Sequence, residues 1–152
     1  SGYTFTTLIP KKAHGVKGLR SCQNYCQRHT FDLHGLRLDN DKVFKSDEFL
    51  SYCYSHGVKT EFSAPHSPYR NGLIERTWRT LGESTFTMLE ESGLNDEFWE
   101  YAFQTSVYIF NRTWKKAGND IPYSKIFHKI PDLSVNEVWV PSLFSSPSSS
   151  TQ

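Results

Sequence analysis

Apolar positions along the chain alternate between two spacings. Residues 3–10 (YTFTTLIP) are aromatic and β-branched and predict a strand. Residues 11–28 follow at helical spacing, with Val16, Leu19, Cys22 or Gln23, and Cys26 on one face. Residues 33–38 predict a second strand of weak alternation, ending at the turn signal Asp39-Asn40. Ser46 is a candidate N-cap for a helix over 46–55, with Phe49, Leu50 and Cys53 inward and Gly57 as its stop. Residues 58–63 predict a third strand. Residues 64–70 (APHSPYR) hold two prolines and predict a loop.

The strongest periodicity covers residues 71–92, where Ile74, Trp78, Leu81, Thr85 and Met88 form one stripe and Gly93 ends the helix. Asn95 is expected to cap a further helix running to Asn111, with Phe98, Ala102, Thr105 or Ser106, and Ile109 as its stripe. A short helix is expected over 123–128. Trp78, Trp99 and Phe103 fall at helical spacing and are expected in the core. Strands alternating with helices argue for a layered α/β domain.

The chain has 152 residues, 37% of them hydrophobic and 15% aromatic, enough for one domain with a core. The net charge of +1 excludes a stand-alone electrostatic DNA binder, yet the charge is uneven. Residues 1–31 hold Lys11, Lys12, Lys17, Arg20 and Arg28 and no acid. Such a stretch either attracts phosphate or is an ordinary solvated helix face. Three cysteines (Cys22, Cys26, Cys53) are too few and too odd in number for a disulfide framework, which favours a reducing compartment. Cys22, Cys26 and His29 have loose metal-like spacing, but cysteines four apart on a helix are more often small core residues. No stretch has the length of a membrane span. The chain opens on Ser1 and runs straight into a strand-like stretch, so it reads as a piece of something longer. Residues 142–152 contain six Ser and one Pro and are expected to be disordered.

Two carboxylates stand in special places. Asp39 ends a strand and begins a turn, where ligand sites of α/β sheets gather. Glu75 is expected in the first turn of the longest helix, and thirty-five residues lie between the two. With a third carboxylate they could hold two hard cations for in-line phosphoryl displacement. Spacing alone does not decide this, because a turn Asp is often a local cap and a first-turn Glu often complements the helix dipole.

The flanking residues sharpen the reading. Leu38-Asp39-Asn40 with Phe44 resembles the strand-end motif of retroviral and retrotransposon integrases. Pro65 and the run Asn71-Gly72-Leu73-Ile74-Glu75-Arg76 resemble the segment that carries their glutamate, and the gap is that of the D,D(35)E signature. Residues 95–99 (NDEFW), 107–112 (VYIFNR), Pro122-Tyr123 and 131–134 (PDLS) look like the copia-type branch.

The resemblance covers residues 1–134, which it marks as a partial integrase catalytic core, with 135–152 a divergent Ser-rich tail. It implies an α/β RNase H-like fold of strand order 3-2-1-4-5, here an incomplete sheet lacking the first two strands and, with them, the first catalytic Asp. It implies Asp39 and Glu75 as catalytic metal ligands for a two-ion Mg²⁺ or Mn²⁺ site. It implies DNA, both transposon ends and target, as partner, contacted by Arg70, Asn71, Arg76, Arg79 and more weakly Lys59. A homo-oligomer and a nuclear setting for the parent integrase follow from the same resemblance. The isolated chain is then expected to be inactive. Asp32 precedes the second strand and is not expected to replace the first Asp. Asp41 stands where the family usually has Gly, Val43 replaces an acid, and Tyr69-Arg70 replaces Gln-Gln. His66 has no assigned role. The alternative is a non-catalytic transposon-derived module that binds nucleic acid or protein, or a relic.

Without its native neighbours, the strand at 3–10 is expected to leave backbone groups unpaired, or to pair non-natively with 33–38. An orphaned buried group costs about 1–3 kcal/mol against a net stability of about 5–15 kcal/mol, so the chain is expected either to be unstable or to repair its sheet by that non-native pairing.

Overall fold

The computed structural model describes residues 2–63, 68–115 and 119–133. The Ser-rich stretch at 142–152 and His66 lie outside them. The described residues divide into two compact units, one built from residues 5–74 and the other from residues 2–4 and from 75 onward.

The first unit is a strand–helix–strand crossover with a helix in front of it. Helix α1 (Gly15–Arg28) is preceded by a 3-10 turn over Lys12–His14. Strand β1 (Gly35–Leu38) leads through a second 3-10 turn (Lys42–Lys45) into helix α2 (Asp47–Ser55), and strand β2 (Lys59–Phe62) returns. The strands pair in parallel, Gly35 opposite Lys59 and Leu38 opposite Phe62. Parallel pairing needs such a crossover, and α2 supplies it.

Local chemistry sets these boundaries. The Ser46 hydroxyl accepts from the Phe49 amide at 3.3 Å, as the N-cap reading expects. Gly57 takes φ +66°, and the Val58 and Gly57 amides donate to the Cys53 and Tyr54 carbonyls at 2.9 and 3.1 Å. That is a Schellman stop, which favours Gly because a Cβ strains the left-handed backbone. It also turns Val58 inward to join Leu19, Phe49 and Cys53 in the core, with Val16, Leu33, Leu36, Leu38, Phe44 and Tyr52 packed around them.

Helix α3 (Pro68–Ser92), which belongs to the second unit from Glu75 onward, carries the long periodicity and ends at Gly93, φ +66°. A 3-10 turn (Asp96–Phe98) leads into helix α4 (Trp99–Arg112), and helix α5 (Pro122–Phe127) follows. Leu81, Phe103 and Val107 form the core with Phe110 against them. The buried Thr85 and Ser106 hydroxyls lie 3.1 Å apart, and each is also within reach of a helical carbonyl, Leu81 for Thr85 and Ala102 for Ser106; with one proton apiece, one hydroxyl donates to the other and the second to its carbonyl.

Four expectations are corrected. Residues 3–10 form no strand. Among the described residues β1 pairs with β2 alone, so neither a native neighbour nor the non-native pairing with 33–38 is present. The Thr4 amide and carbonyl instead meet the side-chain amide of buried Asn111 at 2.8 and 2.7 Å. That clasp does for one residue what a neighbouring strand does for many. Next, the helix expected from Asn71 starts at Pro68, so residues 68–70 are helical rather than loop. Proline is tolerated in a first turn, where its missing N–H has no intrahelical partner to lose. Third, Trp78 and Trp99 are 56% and 48% exposed and Ile74 is exposed as well. Trp78 lies flat on Phe103, at 5.7 Å and 10°, so Phe103 takes the core place and the indole covers it from outside. Last, Asn95 caps only the 3-10 turn, without a side-chain bond. Helix α4 buries Phe103 and Val107 along with Ala102 and Ser106, while Ile109 faces out.

Candidate functional site

The turn after β1 is built from its own acidic side chains. Asp39 Oδ1 accepts from the Asp41 amide at 3.2 Å, and Asp41 Oδ1 accepts from the Val43 amide at 3.0 Å. These are successive Asx turns, the local use such residues favour. Asn40 Nδ2 donates to the Ser63 carbonyl at 2.6 Å, and the Ser63 amide donates to the Leu38 carbonyl at 2.9 Å. The carboxyl ends of both strands are thereby tied together directly under Asp39.

Asp39 is exposed, and its Oδ2 carries no hydrogen bond among the described residues. Asp41 is engaged further, because its Oδ2 pairs with the Lys12 ammonium. The Lys12 hydrogen bond holds the Asp41 carboxyl below the usual carboxylate range, helped by the Val43 amide. Reciprocally, Asp41 raises the Lys12 ammonium, and Asp39 adds a weaker pull of the same sign. The Gly expected at position 41 by resemblance is thus replaced by a residue that caps the next turn with one oxygen and binds a cation with the other.

Glu75 is exposed on α3. It is the eighth residue of that helix, about two turns in, rather than in the first turn, which holds no acid. A helix-dipole role for Glu75 is weakened accordingly, since that effect fades within one turn. Arg76 and Arg79 are exposed beside it, and Arg79 lies one turn beyond Glu75 on the same face. Asn71 and Arg70 belong to the first turn, and their side chains lie outside the described residues. Lys59 opens β2, opposite Gly35, so it stands at the far end of the two-stranded sheet from Asp39.

Among the described residues, no three His, Cys, Asp or Glu side chains come together as a metal cluster. Asp32 lines a cavity of about 190 Å³ with Cys26, His34 and His56, and Asp39 is not among its lining residues. The His29 ring packs between Tyr25 and Phe31, at 4.5 and 6.3 Å. Burial and neighbouring Cys26 push the Cys22 thiol up to about 11, and burial also raises Cys53. A thiol so raised is a poor nucleophile and a poor metal ligand at neutral pH. Alkylation by iodoacetamide at pH 7.5, followed by mass spectrometry, should accordingly label Cys22 and Cys53 at least about tenfold more slowly in the folded chain than in urea. Equal rates would contradict this placement.

Sequence reasoning missed the parts of Lys12 and Asn111. Lys12 was visible only as one base in an acid-free stretch, and Asn111 only as the end of a helical stripe.

No known protein-family profile matches the sequence. The chain is 42% identical over 78 residues to the Retrovirus-related Pol polyprotein from transposon TNT 1-94 of Nicotiana tabacum, a match covering 51% of this chain and 6% of that polyprotein. It is 34% identical over 97 residues to the Pol polyprotein from transposon RE1 of Arabidopsis thaliana, covering 59% and 7%. The chain thus spans well under a tenth of these relatives. Among solved structures, the HTLV-2 integrase catalytic core domain in complex with magnesium superposes with a TM-score of 0.58 at 18% identity, covering 77% of this chain and 72% of that one. The catalytic core domain of BIV integrase gives 0.62 at 21%, covering 84% and 79%. A chain of the simian T-cell lymphotropic virus intasome in complex with PP2A regulatory subunit B56 gamma gives 0.64 at 17%, covering 84% and 46%. By sequence, the chain is similar to a segment of retrotransposon Pol polyproteins, and its fold is the RNase H-like fold of a retroviral integrase catalytic core.

Proposed function

We propose that this chain is the part of a copia-type retrotransposon integrase core that carries Asp39 and Glu75, and that it serves metal-dependent transfer of transposon DNA ends into target DNA. The observation behind this reading is the turn after β1: an exposed carboxylate at the carboxyl end of a parallel strand, with one oxygen fixed by a backbone amide and the other open. Fold and relatives supply the context.

The donor chemistry fits a hard divalent cation, since Asp39 and Glu75 are exposed carboxylates and Mg²⁺ and Mn²⁺ take oxygen ligands. A bound pair of such ions would activate the attacking oxygen and stabilise the leaving one. The chain's own part is to hold the Asp39 carboxylate still, which the Asp41 amide and the Asn40–Ser63 bond accomplish. Arg76 and Arg79, with Arg70 and Asn71, would receive the phosphate backbone; Lys59 is the weakest candidate because of its place on the sheet. On the resemblance, the first Asp ligand is not among these 152 residues, so the chain alone is expected to lack strand transfer. The core dimer or higher assembly is proposed on the same ground.

The test is strand transfer by a longer segment of the polyprotein that contains this chain. Transfer dependent on Mg²⁺ or Mn²⁺ is expected. DNA binding should weaken on Arg76→Ala and Arg79→Ala, with the salt slope falling by about 1 for each lost phosphate contact. Salt-dependent binding with no transfer under any divalent ion would favour a non-catalytic module instead. Transfer by the 152-residue chain alone, abolished by Asp39→Ala, would refute its inactivity.

A further inference from the structure

Asp39 and Asp41 face the same turn, and each commits Oδ1 to a backbone amide two residues on. Their Oδ2 atoms differ. That of Asp39 has no hydrogen bond among the described residues, while that of Asp41 is held by Lys12. The placement of Lys12 is itself built in. Its 3-10 turn runs into α1 at Gly15, which is buried directly against Val43. A Cβ at position 15 would lie 2.6 Å from Val43 Cγ1, so only a glycine lets the start of α1 come this close to the turn. Val43 is the same residue whose amide Asp41 caps. Two independent contacts therefore seat one ammonium over a turn of two carboxylates.

We propose that Lys12 is the resident counter-cation of the Asp39 turn and that a divalent ion binding Asp39 does so in competition with it. This inference rests on reading Asp39 as a metal ligand. Lys12 lowers the negative charge an arriving cation meets, and it keeps the Asp41 carboxylate from swinging over as an extra ligand. The basic stretch at 1–31 therefore gives up Lys12 as a phosphate contact and uses it to set the charge of the acidic turn.

Binding of Mn²⁺ alone to the 152-residue chain, followed by the EPR signal of free Mn²⁺, tests this. Lys12→Met should tighten Mn²⁺ by roughly threefold, the scale of an exposed charge–charge interaction. The gain should shrink as salt is raised. Lys12→Arg should match the parent chain, and Asp41→Asn, which frees Lys12 for Asp39, should weaken Mn²⁺. Thermal melts of these variants should coincide, which separates a charge effect from a merely structural one. Unchanged or weaker binding in Lys12→Met, or equal tightening in Lys12→Arg, overturns the role of Lys12. If in that case Asp39→Asn still abolishes binding, the metal reading survives alone. Binding indifferent to Asp39→Asn removes both.

Discussion

Phe49→Ala should cost the chain about 3–5 kcal/mol, the range for truncating a buried aromatic ring. Phe49 is 2% exposed and sits edge-on to Phe44, with ring centroids 5.2 Å apart. It shares its cluster with Leu19, Cys53 and Val58. The loss leaves a cavity that this small core cannot readily refill, because its other members come from α1, α2 and the residue just before β2, each held by its own element. Net domain stability is only about 5–15 kcal/mol, so the variant should be marginal at 25 °C. Urea unfolding by far-UV circular dichroism checks it, with Tyr54→Ala, 89% exposed on the same helix, as a control expected within about 0.5 kcal/mol. A Phe49→Ala shift below about 1 kcal/mol would show that this cluster does not hold the unit together. Leu36 and Leu38 pack on the same cluster. The variant should therefore also loosen the turn that begins at Asp39.

On the proposed function, Asp39→Asn in a longer segment that contains this chain should reduce strand transfer by about 10³-fold or more, the scale for removing one member of a catalytic unit. The substitution is chosen for its shape. An Asn keeps the Oδ1 that accepts from the Asp41 amide, so the turn survives while the charge proposed to draw a divalent cation is gone. If both act as the proposed ligands, Glu75→Gln should cost as much and the double variant little more, because members of one catalytic unit do not act additively. Melting temperatures of all three should stay with the parent. A loss smaller than tenfold in either single variant would remove that residue from the chemistry.

Much of the helical framework was legible because its signals are local. Ser46, Gly57 and Gly93 mark helix ends through side-chain and backbone chemistry within a few residues, and the structure uses each of them as read. The strand at 3–10 failed for the opposite reason. Aromatic and β-branched content states a preference, but a strand exists only with a neighbour to bond, and none is present among the described residues. Trp78 failed similarly. Helical spacing put it on the right face, yet depth depends on what lies opposite, and Phe103 lies under it. Of the candidate site, Asp39 and its turn were readable from Asp-Asn after a strand. The Lys12–Asp41 pair was not, because it joins residues 29 positions apart through a glycine contact that no periodicity encodes.

The clasp between Thr4 and Asn111 bridges 107 positions of sequence. Closing a loop of that length from an open chain costs about 4 kcal/mol of conformational entropy by the (3/2)RT ln n rule. Two hydrogen bonds, each contributing about 1 kcal/mol net, do not offset it. The contact therefore cannot nucleate folding and must form late, after nearer contacts have brought its two ends into range.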